Sequence, residues 1–214
     1  MPYTYKVLAV PRVPDHLVKQ ALEIVDEDSK KKDIANWHGL PGYSEYRHRK
    51  VRHLNGQVFV TVGTTRYRVS EEFEEWVKEN FSGTETTLCG VSVMDVDHSK
   101  TMAPHVDTSR NYTIQYLLDT GGSNVETVWW RENGKPAIRP DLRQNYDPSS
   151  TIQDYSNLVE IDRIKAEPNV WISLNSAILH SIENLETPRI AFQVGADIEP
   201  SNLPWTYASK INTF

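Results

Sequence analysis

Apolar residues fall at helical intervals in two early stretches of the chain and alternate with polar ones through most of the remainder. Between Asp15 and Lys31, the residues Leu17, Val18, Ala21, Leu22 and Val25 share one face at a 3.6-residue period. With Pro14 at its entrance, the segment predicts an amphipathic helix. A second helix is expected after Ser70, a residue suited to cap the free N–H groups of a first turn. Glu71, Glu72, Glu74 and Glu75 follow it and would meet the positive end of the helix dipole. Asn55-Gly56 marks a turn ahead of Val58, Val60 and Val62, which alternate as in a strand.

Beyond Phe81-Ser82-Gly83 the period shortens to two. Leu88, Val91, Val93 and Val96 open a series of short β-patterned runs at 113–118, 125–130, 158–164, 170–174 and 189–194. Strands alternating with long helices are not indicated, which disfavours a doubly wound sheet or a (β/α) barrel. The pattern predicts a mainly β chain closed as an antiparallel sandwich or jelly roll, with helices flanking its N-terminal part. A stretch of 36–46 rich in glycine and aromatic residues reads as loop. The interval 131–156, with Pro136, Pro140 and Pro148, is too long for a hairpin and reads as an insertion over one mouth of the barrel.

Composition narrows the class. The 214 residues suit a single domain, divided into N-terminal additions (about 1–85), a β core (about 86–196) and a C-terminal extension (197–214). A formal net charge of -6 argues against a general nucleic-acid binder, because phosphate neutralisation requires a cationic surface. One basic segment, 47–53, runs Arg-His-Arg-Lys-Val-Arg-His and is expected to be a solvated surface stretch. Cys89 is the only cysteine, so no intrachain disulfide forms; between Leu88 and Gly90 it reads as buried and inert. No run is long and apolar enough for a membrane span, and the first eight residues turn polar too early for a signal peptide, so a cytoplasmic location is expected.

The candidate chemistry lies in His105, Asp107 and His180. Two imidazoles and one carboxylate form the facial ligand set of non-haem iron(II), which leaves neighbouring coordination positions open. In an extended segment, His105 and Asp107 would project from one edge, and His180 would arrive from a later strand. The same three donors also suit catalytic zinc with a bound water. Arg189, nine positions after His180, adds a guanidinium that can grip a carboxylate through two hydrogen bonds. A dicarboxylic keto acid could then chelate the metal at one end and be anchored at the other.

Pro104-His105-Val106-Asp107, and Leu179-His180-Ser181-Ile182-Glu183-Asn184 continuing to Arg189-Ile190-Ala191-Phe192, resemble the two halves of the motif of iron(II)/2-oxoglutarate-dependent oxygenases. The second half is similar to the aspartyl/asparaginyl β-hydroxylase and prolyl-hydroxylase-like branches. The resemblance covers about Leu88 to Val194. It implies a double-stranded β-helix, the jelly-roll or cupin-like barrel, with Fe(II) on His105, Asp107 and His180 and 2-oxoglutarate as cosubstrate. Arg189 would bind the distal carboxylate of that acid. The implied activity is a dioxygenase using molecular oxygen to hydroxylate a protein side chain, peptide or small metabolite, with release of succinate and carbon dioxide. A cupin-like hydrolase or isomerase without 2-oxoglutarate, or a noncatalytic jelly-roll binding protein, are the alternatives.

Some branches carry a serine or threonine two residues after the arginine, where this chain has Ala191. A second contact to the distal carboxylate must then come from another strand. Tyr112, Thr113, Gln115 and Tyr116 are candidates, of which alternation admits one subset. Tyr112 and Tyr116 are preferred, because Ile114 between them would supply an apolar wall. Asn184 is a candidate to orient His180, and Arg110 and Arg139 to meet an anionic substrate. Trp129 and Trp130, as successive residues of one strand, are expected on opposite faces.

Overall fold

The structure, a computed structural model, describes residues 3–31, 52–54, 57–59, 64–94, 100–107, 110–134 and 155–209. The 36–46 stretch, most of the basic segment, His98, Arg139 and the three prolines of the insertion lie outside the described residues. So does Val96 at the end of the first predicted β run.

Among the described residues, two α-helices and one large sheet, drawn from both ends of the chain, build one side of the molecule. Helix α1 spans Asp15–Lys31 and α2 spans Glu71–Asn80. Ser70 caps α2, its hydroxyl accepting from the Phe73 N–H. The helices are joined through polar side chains: Ser70 Oγ donates to Gln20 Oε1 at 2.9 Å, and His16 meets Glu72 at 2.9 Å. Their apolar faces lie on a seven-stranded sheet made of β1 (Tyr5–Leu8), β4 (Thr64–Tyr67), β5 (Thr86–Met94), β7 (Tyr112–Asp119), β10 (Trp171–Asn175), β12 (Arg189–Ala196) and β13 (Trp205–Ala208), in the order β13-β1-β10-β7-β12-β5-β4. Strands β2 (Arg52–Leu54) and β3 (Gln57–Phe59) pair antiparallel as a separate two-stranded sheet, while Asn55-Gly56, Val60 and Val62 lie outside the described residues.

The opposing sheet has four strands, β6 (Met102–His105), β8 (Glu126–Glu132), β9 (Leu158–Ile164) and β11 (His180–Glu183), ordered β6-β11-β8-β9. All pairings are antiparallel. Alternation along each strand of the large sheet therefore sorts its residues into two buried layers. Tyr116, Phe192, Val194 and Trp171 pack toward Leu17, Ala21, Phe73, Val77 and Phe81. Phe73 stacks on Phe192 with centroids 4.1 Å apart, and Phe81 meets Trp171 edge-on at 5.0 Å. Each such fully buried aromatic contributes roughly 2–3 kcal/mol through the water it excludes. Leu117, Ala191, Ile172 and Leu174 face the other way and meet Trp129 of the small sheet.

The result is mainly β: a double-stranded β-helix whose larger sheet is backed by the two helices. Trp129 is fully buried between the sheets, whereas Trp130 points away, its ring nitrogen donating to Ser181 Oγ at 2.8 Å. No helix among the described residues is long and apolar enough to cross a membrane.

Candidate metal centre

Strand pairing, rather than sequence proximity, assembles the candidate ligands. His105 ends β6 and His180 begins β11, and the two are direct cross-strand partners, with Trp129 opposite His180 on the other side. Their ring centroids are 4.5 Å apart. Asp107 lies just past the end of β6, where its N–H donates to the Ser176 carbonyl at 3.0 Å. One donor atom from each of His105, Asp107 and His180 lies within 4.8 Å of the others. Bonds of about 2.1 Å to one ion set adjacent donors about 3 Å apart, so the side chains must draw in by an ångström or two to share it.

Both histidines are oriented by the same local device. His105 Nδ1 lies 2.9 Å from the Ala103 carbonyl and His180 Nδ1 lies 2.9 Å from the Ile178 carbonyl. A carbonyl only accepts, so each Nδ1 carries the hydrogen and each Nε2 is left with its lone pair. Fixing a ligand's remote nitrogen in this way is a recurrent support for metal-binding imidazoles.

Charge is arranged to keep the donors in their binding forms. Burial works against ionisation of Asp107, but Arg110, then His180 and His105, overcome it and hold the carboxyl well below the usual carboxylate range. Burial, followed by the neighbouring His105, pushes His180 down to about 4, against the opposing pull of Asp107. Near neutral pH the site therefore offers a carboxylate and a neutral imidazole at positions 107 and 180.

Arg189 opens β12 and shares its parity with Ala191, which places it on the face between the sheets. It is 2% exposed, and its Nε and Nη2 find no hydrogen-bond partner among the described residues. Burial alone pushes its guanidinium down to about 10, so it remains cationic at neutral pH. A buried cation with unsatisfied N–H groups is expensive unless an anion completes it.

The preferred tyrosines do not face this cavity. Tyr116 is 1% exposed in the layer beneath the helices, with its ring 5.0 Å from Trp171. Tyr112, of the same parity, packs against Tyr3 at 6.0 Å. The other alternating subset points inward: Thr113 contacts Asp107, and Gln115 lies between Thr113 and Leu117 on the same face. Ile114 supplies an apolar wall, but for the helices.

Further polar residues on the inner faces were not singled out from the sequence. Thr127, two residues before Trp129, is 1% exposed and Gln193, cross-strand from Gln115, is 4% exposed; the Thr127 hydroxyl and Gln193 Oε1 have no hydrogen-bond partner among the described residues. Gln115 Nε2 is likewise unpartnered. A polar residue at an inward position of a β-patterned run is the only sequence signal for these, and it appears once the inward face is known. Asn184 adopts a positive φ of 62° and donates from its side chain to the Asn124 carbonyl, a turn role rather than a contact to His180. Arg110 turns onto Asp107 and Thr113. Cys89 is partly buried against the helix-side layer, and burial pushes its thiol up to about 12.

No family model matches the sequence, and no curated protein does. Solved structures with a similar fold include a non-haem α-ketoglutarate-dependent carbocyclase, SnoK, from nogalamycin biosynthesis, at 12% identity over 90% of this chain and 78% of that one, with a TM-score of 0.49. EvdMO1 aligns at 10% identity over 92% of this chain and 48% of its own, with a TM-score of 0.50, so this chain spans about half its length. A Pseudomonas putida prolyl-4-hydroxylase aligns at 11% identity over 92% and 94%, with a TM-score of 0.44. At these identities the likeness is one of fold. The architecture, from its own strand order and antiparallel pairing, is the double-stranded β-helix.

Proposed function

We propose that this chain is an iron(II)- and 2-oxoglutarate-dependent dioxygenase that hydroxylates a protein side chain, a peptide or a small metabolite. The observation that carries the reading is Arg189, a buried cation whose Nε and Nη2 have no hydrogen-bond partner among the described residues, on the inner face of the barrel that also holds His180. A metal hydrolase or isomerase built on the same three donors gives no reason to maintain a guanidinium that lacks a partner among the described residues there.

The residues fit the two groups. His105, Asp107 and His180 would hold the metal through two Nε2 atoms and one carboxylate oxygen, a mixed donor set suited to iron(II). Arg189 would take the distal carboxylate of the keto acid in a two-bond contact, and the unpartnered Thr127 hydroxyl and Gln115 Nε2 offer further donors on the same inner surface. These take the place of the Tyr112 and Tyr116 contacts expected from the sequence. When bound, iron and 2-oxoglutarate supply the redox chemistry, in which oxygen converts the keto acid to succinate and carbon dioxide and an unactivated C–H bond is oxidised. The chain's own part is positioning: the strands fix the donors, and Trp129, Leu117 and Ile182 exclude water from the space between the sheets.

Anaerobic titration of the full chain with Fe(II) and then 2-oxoglutarate tests this, read by the visible charge-transfer absorption that a chelated keto acid gives. Arg189→Ala is expected to keep metal affinity and lose keto-acid affinity at least about a hundredfold, the scale of a severed buried charge pair. Unchanged keto-acid affinity in that variant overturns the reading. Succinate release matched to a mass gain of one oxygen in a candidate substrate then identifies the substrate class.

A further inference from the structure

Asp107 does not present its two carboxylate oxygens equally. Arg110 Nη2 lies 2.9 Å from Oδ2, and the Thr113 hydroxyl donates to the same oxygen at 2.9 Å. Arg110 Nε in turn donates to Thr113 Oγ1 at 2.6 Å, closing a three-residue ring of hydrogen bonds. Arg110 and Thr113 are 5% and 4% exposed, so water competes little for these bonds. The other oxygen, Oδ1, faces His105 Nε2 at 3.8 Å. The carboxylate is thus divided, with one oxygen committed to the protein and the other turned toward the imidazoles.

An unrestrained carboxylate can bind a divalent ion through one oxygen or two. Two-oxygen binding would take a coordination position that a chelating keto acid or oxygen needs. On the reading that the triad holds a metal, we propose that Arg110 and Thr113 are positioning residues that lock Asp107 as a one-oxygen ligand and so keep that position open. The same pair offsets the aspartate's charge, which leaves a divalent ion at the site more strongly positive toward a dianionic acid. Thr113 connects the lock to the barrel, since it lies in β7 and its Oγ1 is 3.2 Å from Ser176 Oγ. Neither residue touches the reacting atoms, so their effect is on geometry.

Co(II) reports coordination number through the intensity of its visible bands, so the full chain loaded with Co(II) gives a readout independent of turnover. Thr113→Val removes the hydroxyl at nearly constant volume, and Arg110→Met removes the guanidinium. Both are expected to bind Co(II) with an altered visible spectrum and to bind 2-oxoglutarate at least about tenfold more weakly, the low end for loss of a ligand's outer support. Thr113→Ser keeps the hydroxyl and should restore the wild-type spectrum and affinity, which a packing role for the threonine methyl would not allow. If Arg110→Met does not fold, the Thr113 pair decides the question alone. Wild-type spectra and keto-acid affinity in Thr113→Val overturn the lock while leaving the metal site standing. Wild-type protein that binds no Co(II) overturns the metal reading and the lock with it.

Discussion

His105 and His180 stand opposite each other on adjacent antiparallel strands, and each holds its Nδ1 against the carbonyl two residues earlier in the chain. Free imidazole favours the hydrogen on Nε2, so the structure holds both rings in the less favoured tautomer. The expected outcome in nitrogen-15 NMR of the metal-free protein at neutral pH is an Nδ1–H signal from both rings. Replacing His105 or His180 with Ala should each remove one signal and abolish stoichiometric metal binding. An Nε2–H tautomer at either position would mean that the lone pair is not available to an ion.

Arg189 gives a prediction about stability that runs opposite to the one about function. Its guanidinium is buried without a counterion among the described residues, and burial has already pushed it down to about 10. Arg189→Met keeps most of the side-chain volume and removes the unpaired charge, so the metal-free protein should gain roughly 1–3 kcal/mol in urea denaturation. The same variant should show no stabilisation by 2-oxoglutarate, whereas wild type should. A destabilised Arg189→Met would mean that the guanidinium is satisfied in the resting protein.

Much of the fold was legible because it rests on local periodicity. Helix α1 covers the predicted Asp15 to Lys31, Ser70 caps α2, and the runs at 113–118, 125–130, 158–164, 170–174 and 189–194 lie within or largely within strands. The choice between Tyr112/Tyr116 and Thr113/Gln115 was not legible, for a physical reason. The large sheet is buried on both faces, so apolar content does not distinguish the side that meets the helices from the side that meets the small sheet. Strands β1 and β13 escaped notice because they are short and are defined by pairing with each other and with β10 rather than by their own pattern. His105 and His180 could be proposed as companions from their motifs, but that they are register partners depends on the pairing of β6 with β11.

His180 makes the stability of the metal-free protein depend on pH. Its folded value of about 4 lies below the ordinary 6.5, so below pH 6.5 the unfolded chain takes up a proton that the native site refuses. Stability from this group is complete above 6.5 and falls as pH drops toward 4. Asp107, held well below the usual carboxylate range, adds its own loss only once the pH falls through the unfolded carboxylate value near 4. Between pH 7 and 5 the wild type should lose about 2 kcal/mol more than His180→Gln in urea denaturation. Equal losses in the two proteins would show that the imidazole is already protonated, or already solvated, in the native state.

Gly121 links the turn after β7 to the placement of Arg189. It has a φ of +81°, and a Cβ at this position would lie 2.8 Å from Leu185 Cδ2, 2.9 Å from Arg189 Cβ and 3.1 Å from the Thr187 carbonyl oxygen. The left-handed conformation alone disfavours an L side chain by about 1–2 kcal/mol. Crowding against a backbone oxygen and the first carbon of Arg189 leaves little freedom to relax, since neither is the tip of a flexible chain. The turn is also tied to the segment leading into β12, because Glu186 N–H and Thr187 N–H donate to the Gly121 carbonyl at 2.8 and 2.9 Å. Gly121→Ala should therefore lose roughly 2–4 kcal/mol of stability. Any displacement that relieves it must move the start of β12, so the folded fraction should bind 2-oxoglutarate more weakly while the triad, anchored on β6 and β11, keeps its Co(II) affinity. Parallel Co(II) and keto-acid titrations check this split, and an equal loss of both affinities would mean that the turn supports the barrel as a whole rather than Arg189.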